Sequence, residues 1–241
     1  MARASLKALR IPRPSRDALQ LGLGCALAGL ALACALLFFP LWQMLESRAF
    51  DLLSIRTAPL ATQMPITVVA IDEASSTQLG LRWPSPRSLH ADLVEKLNAA
   101  GAAVVAFDVQ FSEPSTPEED QRFADTIAAA GNVVLASKYE YHETAATRVF
   151  MRMDPIALFT GAGASVGLTD MELLGDQVPR RMALGQDAFW RVAIRKLVQV
   201  MPESGIVEPG VPDGAMIRYL GPRNTFPVVS YYQVINQDPD V

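Results

Sequence analysis

Two aspartates close apolar runs of nearly the same composition, Val68-Val69-Ala70-Ile71-Asp72 and Val104-Val105-Ala106-Phe107-Asp108. Each run reads as a strand buried on both faces with a carboxylate at its carboxyl end. Open α/β folds place their ligands at that edge. If the strands are parallel neighbours, about 4.8 Å apart, Asp72 and Asp108 face one crevice, and Glu73 and Glu113 lie within reach. Such a group suits a cation or a donor-rich small ligand. Two carboxylates this close repel, so they need a counter-charge or one raised pKa. Arg87 and Lys138 are the internal sources of that charge. Two readings therefore share Asp72, Glu73, Arg87, Asp108, Glu113 and Lys138: an ion-pair network that orders loops at the sheet edge, or a site for a ligand or an unassigned metal.

Other chemistry is sparse. The chain has no Gly-x-Ser-x-Gly elbow, phosphate-binding loop, zinc-ligand spacing or dinucleotide fingerprint, and no cofactor is expected. A phosphoryl-transfer aspartate would want a second acid two positions after Asp72, where Ala74 stands. The enzymatic alternative is a metal-dependent hydrolase using Asp72 and Asp108. His90, beside Leu89 on a helix, is expected at the helix surface or in packing rather than on a metal. His142, in Tyr139-Glu140-Tyr141-His142-Glu143, is assigned to an exposed loop, and Arg180 and Arg181 to solvated charges at a strand end.

The elements that must position these residues follow from pattern and punctuation. Ser85 as N-cap and Pro86 at the first helical position open a helix that runs to about Ala100, with Leu89, Leu93, Val94 and Leu97 on one face and Gly101 as its stop. The segment Glu73 to Pro84 is then a long loop, more functional than decorative. Thr116-Pro117-Glu118-Glu119 reads as a capping box opening a second helix, with Phe123, Ile127 and Ala130 inward and Gly131 as its stop. Asn132 to Ser137 supplies a third strand, so the order is βαβαβ. Beyond it, Arg148 to Met153, Ala164 to Thr169 and Ala215 to Leu220 read as strands, and Gly175 to Ala183 as a turn feeding another. Phe189 to Val200 reads as an amphipathic helix, and Ser230 to Ile235 as a short helical turn. The fold class is α/β, with a parallel core and a mixed C-terminal half.

Charge and hydropathy divide the 241 residues unevenly. The chain carries 21 basic and 25 acidic side chains, yet its first 45 residues hold five bases (Arg3, Lys7, Arg10, Arg13, Arg16) against one acid, Asp17. The acidic body that follows argues against nucleic acid as a partner. Both cysteines, Cys25 and Cys34, lie in an uncharged run from Leu21 to Phe39, which at about 1.5 Å per residue covers most of a ~30 Å hydrocarbon core. The run exceeds a signal-peptide core and no small-x-small cleavage site follows Phe38-Phe39-Pro40, so it is expected to remain as an anchor. Basic residues ahead of it place the N-terminus in the cytoplasm and the remainder outside. Small residues at Gly22, Ala26, Gly29 and Ala33 permit close helix packing. The organisation expected is a cytoplasmic tail (1–18), a transmembrane helix (19–42), a membrane-proximal helix and linker (43–64), and one extracytoplasmic domain (65–241). Trp42 suits the headgroup level, and Leu41 to Ile55 reads as a helix leaving the membrane.

With these stretches in view, the chain resembles the second CHASE family, the cyclase- and histidine-kinase-associated sensory extracellular domains of bacteria. The matching residues are Phe50-Asp51-Leu52-Leu53, Val69-Ala70-Ile71-Asp72-Glu73, Trp83-Pro84-Ser85-Pro86-Arg87, and Ala106-Phe107-Asp108 with Phe111. Gly131-Asn132-Val133-Val134-Leu135, the segment from Gly175 to Arg181, and Thr225-Phe226-Pro227 with Ser230-Tyr231 continue the pattern. The resemblance implies an extracytoplasmic ligand- or stress-sensing domain, paired as a homodimer through its membrane and membrane-proximal helices. Its output would be an adenylate, guanylate or diguanylate cyclase, a histidine kinase or a serine/threonine kinase. Members typically run past the Ser-Tyr segment into another strand and returning membrane helices, whereas here the sequence ends at Gln237-Asp238-Pro239-Asp240-Val241. A fragment of a longer receptor, a natural short form and a dominant-negative membrane fragment are the corresponding expectations. Ser85 departs from the aromatic residue common at that position.

Overall fold

The computed structural model describes residues 15–37, 40–58, 65–80, 84–143, 148–171, 173, 176–183, 185–222 and 225–236. The basic residues before Ser15, the linker 59–64, Trp83, Gly175 and the final five residues lie outside these, as does the side chain of His142. The chain divides into two compact units, Met1–Thr57 and Ala58–Val241.

The first unit contains α1 (Arg16–Leu37) and α2 (Pro40–Thr57). Leu and Ala dominate α1, both strong helix formers, and Pro40 stands at the first position of α2, where its missing N–H is no loss. Among the described residues α1 is the one helix long and apolar enough to cross a membrane.

In the second unit, β1 (Val68–Ala70) leads into a short α3 (Glu73–Gln78), and α4 (Arg87–Ala99) precedes β2 (Val105–Phe107). Next come α5 (Pro117–Ala130), β3 (Val133–Glu143), β4 (Arg148–Met153), α6 (Ala157–Gly161), β5 (Ser165–Leu168), α7 (Phe189–Val200), β6 (Val228–Ser230) and α8 (Tyr231–Asn236). The caps of α5 form where the residues demand them. Thr116 Oγ1 accepts from the Glu119 N–H, Pro117 takes the first turn, and Gly131 closes the helix at φ 68°, a left-handed conformation that costs glycine little.

The mixed α/β class holds, but the sheets differ from expectation. In one, β3 pairs in parallel with β2 (Val105 opposite Val133) and with β5 (Leu135 opposite Val166), and its far end forms an antiparallel hairpin with β4. β1 is not part of it. Its partner is β6, in parallel and with Val68 opposite Val228, in a separate two-stranded sheet. Neither run is buried on both faces. β2 alternates, with Val105 and Phe107 inside and Ala106 outside, while Val68 is exposed and Val69 and Ala70 half-buried. A run of small apolar residues has no periodicity that separates these cases, because an exposed alanine or valine costs little.

Other departures have local causes. Glu73 to Gln78 is helical rather than loop, because Asp72 caps it. β3 extends to Glu143, so His142 belongs to a strand, where Tyr139 and Tyr141 suit the pleat. The segments from Gly175 to Ala183 and Ala215 to Leu220 form no strands among the described residues; they meet at the bridge Arg181–Met216 and where the Tyr219 hydroxyl donates to the Pro179 carbonyl. Side chains fasten this stretch instead. Arg191 donates to the Val211 carbonyl and to Asp213, and Arg152 joins Asp154 and Asp187. β5 and α7 approach so closely at Gly167 that an added Cβ would stand 2.5 Å from the Phe189 Cα.

The core lies between the β2–β3 sheet and the packed pair α4 and α5. Phe107, Phe111, Phe123, Phe159, Ile127 and Leu135 fill it, and its aromatic rings meet mostly edge to face, the arrangement their quadrupoles favour.

Candidate functional site

An open cleft of about 390 Å³ lies where the first turns of α4 and α5 approach each other. One wall is Pro84 to Arg87, and the other is Glu113 to Thr116 with Glu119. Three prolines stiffen the rims, since each fixes its own φ and restricts the residue before it.

Arg87 ties the walls together. Its side chain is 9% exposed, its Nε lies 3.6 Å from Asp120 Oδ1, and its Nη2 donates to the Glu113 carbonyl at 3.1 Å. The guanidinium carbon sits 4.6 Å from the centre of the Phe111 ring, a cation–π contact strengthened by exclusion of water. Burial lowers the Arg87 pKa from its ordinary value, and the charge of Asp120 opposes that shift; an arginine stays protonated nonetheless. Asp120 Oδ2 accepts from the Ser115 N–H at 2.8 Å, so one carboxylate holds both the arginine and the rim of the second wall.

A second stitch crosses the same gap. α4 begins at Arg87 with Pro86 as N-cap, one residue later than expected, and Pro86 has no side chain able to cap. The Ser88 N–H donates instead to Glu119 Oε2 at 2.6 Å. The reciprocal half of the anticipated capping box is thus diverted, and Glu119 serves the neighbouring helix. A carboxylate suits that place, beside unsatisfied N–H groups and the positive end of the helix dipole.

Of the six candidate residues, Arg87 and Glu113 meet at this cleft. Asp72 has other partners. Its Oδ1 accepts from the Ser75 N–H at 2.8 Å and the Ser75 hydroxyl at 2.6 Å, and its Oδ2 from the Ser230 hydroxyl at 2.5 Å. The Ser230 and Ser75 hydrogen bonds hold the Asp72 pKa below its ordinary value. Since β1 and β2 are not neighbours, Asp72 and Asp108 do not stand on adjacent strand ends. Asp108 and Glu73 are exposed. Lys138 pairs with Glu140 at 2.6 Å, not with the aspartates. Arg180 is buried rather than solvated and holds Asp176 through both oxygens, whereas exposed Arg181 donates to the Gly214 carbonyl. Among the described residues no three His, Cys, Asp or Glu side chains come together as a metal site.

His90 lies within the core, not on the helix surface. It stands one turn along α4 from Arg87, fully buried, edge-on to Phe107, Phe111 and Tyr231. Its Nδ1 is 3.1 Å from the Tyr231 hydroxyl. Burial, and then the Arg87 charge, lower its pKa to about 4, so it is neutral at pH 7. Phe111 therefore touches both the arginine of the cleft and the histidine bonded to α8. Asp120 was not anticipated, although its place was readable. It falls on the buried stripe with Phe123, Ala124 and Ile127, and an acid on an apolar stripe requires a buried partner.

The CHASE2 domain model matches residues 27–241. No curated protein and no solved structure matches the chain. A match over most of the length, on a mixed α/β domain preceded by an apolar helix, settles the family: the chain belongs to the CHASE2 domains, a family of sensory extracellular domains rather than catalytic ones.

Proposed function

We propose that this chain is the sensing part of a bacterial membrane receptor, with its N-terminus in the cytoplasm, α1 as the anchor and the second unit outside. The cue is a cation or a small donor-rich molecule held in the cleft between α4 and α5. The output is a cyclase or kinase activity of the kind to which such domains are coupled. The observation that carries this reading is the cleft itself, where a buried Arg87 ties two helix starts together under an open mouth with Glu113 on its rim. Hydroxyls of Ser85, Ser115 and Thr116 and the carboxylate of Glu113 offer acceptors and donors to an amine, a polyol or a hydrated cation.

Transmission follows the contacts inward. An occupant that draws the walls together favours one packing of α4 on α5. Arg87 rests on Phe111, Phe111 on His90, and His90 on Tyr231, the first residue of α8. Immediately before Tyr231, Ser230 bonds Asp72 and closes the β1–β6 pair. β1 is the first strand after the membrane-proximal segment in sequence, so the cue reaches the part of the domain that the anchor leads into.

The test is thermal unfolding of the full chain in lipid nanodiscs against Mg²⁺, Ca²⁺, spermidine, glycerol and a set of amino acids. A probe at 100 times its Kd stabilises the native state by about 2.7 kcal/mol, and Glu113→Ala with Thr116→Ala removes the shift. A probe whose shift survives both substitutions overturns the cleft as its site.

A further inference from the structure

We propose that the outer half of the β3–β4 hairpin is a membrane-contacting ribbon, whose exposed aromatic and apolar side chains lie in the headgroup layer of a lipid bilayer. This contact requires α1 to anchor the chain, as in the preceding section, and does not depend on what the cleft holds.

β3 runs out of the layers that bury its first half. Val133 to Ser137 are buried, with β2 along one edge and β5 along the other. β5 ends opposite Ser137, and from Lys138 to Glu143 β4 is the one neighbouring strand among the described residues. β4 in turn pairs with β3 alone. The result is a two-stranded ribbon of six residue pairs. Tyr139, Tyr141 and Phe150 share one of its faces, and Val149 and Met151 the other. All five are exposed, Phe150 to 68% and Met151 to 51%. Tyr141 and Phe150 meet edge to face with ring centres 5.2 Å apart. Ion pairs stand near the root of the ribbon, Lys138 with Glu140 and Arg152 with Asp154 and Asp187. Contiguous exposed apolar side chains mark a contact with a protein or a membrane.

Size and two-sidedness select the membrane. At about 3.3 Å per residue and about 4.8 Å between strands, each face offers on the order of 200 Å², where a stable protein partner needs about 800 Å². A flat partner would also cover one face and leave the other wet. A bilayer surrounds a narrow ribbon on all sides, and it needs little affinity of its own, because the anchor already holds the chain at its surface. The depth follows from the backbone. N–H and C=O groups along the open edge of β4 need partners, so the ribbon stays among headgroups and water and short of the hydrocarbon, which admits no open edge. Tyrosine suits that level, with an apolar ring and a hydroxyl that reaches water. Residues 138–153 hold three bases against two acids in a chain of net charge −4, so an anionic leaflet attracts this part of the chain rather than repels it.

The test uses the full chain in liposomes, with Cys25→Ala and Cys34→Ala and one new cysteine at a time carrying a nitrobenzoxadiazole fluorophore. Lipids with a nitroxide on the headgroup are expected to quench labels at Phe150→Cys and Met151→Cys about threefold more than a label at Val207→Cys, an exposed position outside the ribbon. A label at Leu30→Cys, quenched by acyl-chain nitroxides, reports the anchor separately. Tyr139→Ser with Tyr141→Ser is expected to bring the quenching at Met151→Cys down to the Val207→Cys level. Quenching at Leu30→Cys, with none at Phe150→Cys and Met151→Cys above that level, would overturn the ribbon contact and leave the anchor standing. Quenching on one face alone, or protection of both labels from aqueous iodide without lipid quenching, would mean that a protein surface covers the ribbon and would overturn the contact as well. No quenching at Leu30→Cys would overturn anchor and contact together.

Discussion

β1 and β2 carry almost the same residues and live in different surroundings. Val105 to Phe107 pairs with a strand 28 residues further along, under an aromatic core sealed by α4 and α5. Val68 to Ala70 pairs with Val228 to Ser230, at nearly the other end of the described chain, in a two-stranded sheet with one valine of each strand exposed. The first arrangement is held by packing. The second has less packing, with Val69 and the start of α8 against the edge of the core, and adds polar bonds, chiefly Asp72 to Ser75 and Ser230. Two strands alone are marginal, so the β1–β6 corner should open at a lower free energy than the β2–β3 centre.

The strongest way to break the contrast is to hollow the centre. Phe111→Ala is expected to cost about 3 to 5 kcal/mol, measured by denaturant unfolding of the whole chain. Since Phe111 also carries Arg87, the cleft should loosen together with the core. Unfolding that spared either region would show them to be independent.

The next largest effect comes from His90. Its folded pKa of about 4 lies below the ordinary 6.5, so below 6.5 the unfolded chain binds the proton first. The stability contributed by keeping His90 neutral is complete above pH 6.5, falls as pH drops from 6.5 to 4, and is exhausted near 4. The loss across that window is roughly 3 kcal/mol. His90→Phe should flatten that part of the stability curve, and an unchanged slope would show that other groups carry it.

A smaller and more local effect sharpens the comparison. Asp72→Asn weakens the cap of α3 and the bond to Ser230, at about 1 to 2 kcal/mol. Hydrogen exchange should quicken at the amides of β1, β6 and α3 while β2 and β3 stay protected. The wild-type corner should behave likewise in acid. A carboxylate held below the ordinary 3.8 stabilises fully above that value and loses its contribution as pH falls through its folded pKa. Uniform quickening throughout the domain would refute the idea of a separate corner.

Much of the centre was legible because its signals are local. Thr116-Pro117 and Gly131 bracket α5, Phe189 to Val200 matches α7 residue for residue, and Gly101 takes φ 88° just past α4. The corner was not legible. Val228 to Ser230 is too short to show alternation, and nothing in β1 distinguishes a partner 160 positions away from one 37 positions away. The cleft was half legible. Arg87 and Glu113 were identified for their charge, but their connection runs through a backbone carbonyl, and the acid that balances Arg87 sits inside a helix stripe. The Asp72 and Asp108 pairing failed with the strand order on which it rested.

The bond from the Ser88 N–H to Glu119 has a mechanical meaning. The opening turn of one helix is completed by a side chain of the other, so the two cannot swing apart as rigid rods without uncapping α4. Parting the walls removes the acceptor of the Ser88 N–H and weakens the first turn of α4, so the joint holds as a clasp rather than swinging as a hinge.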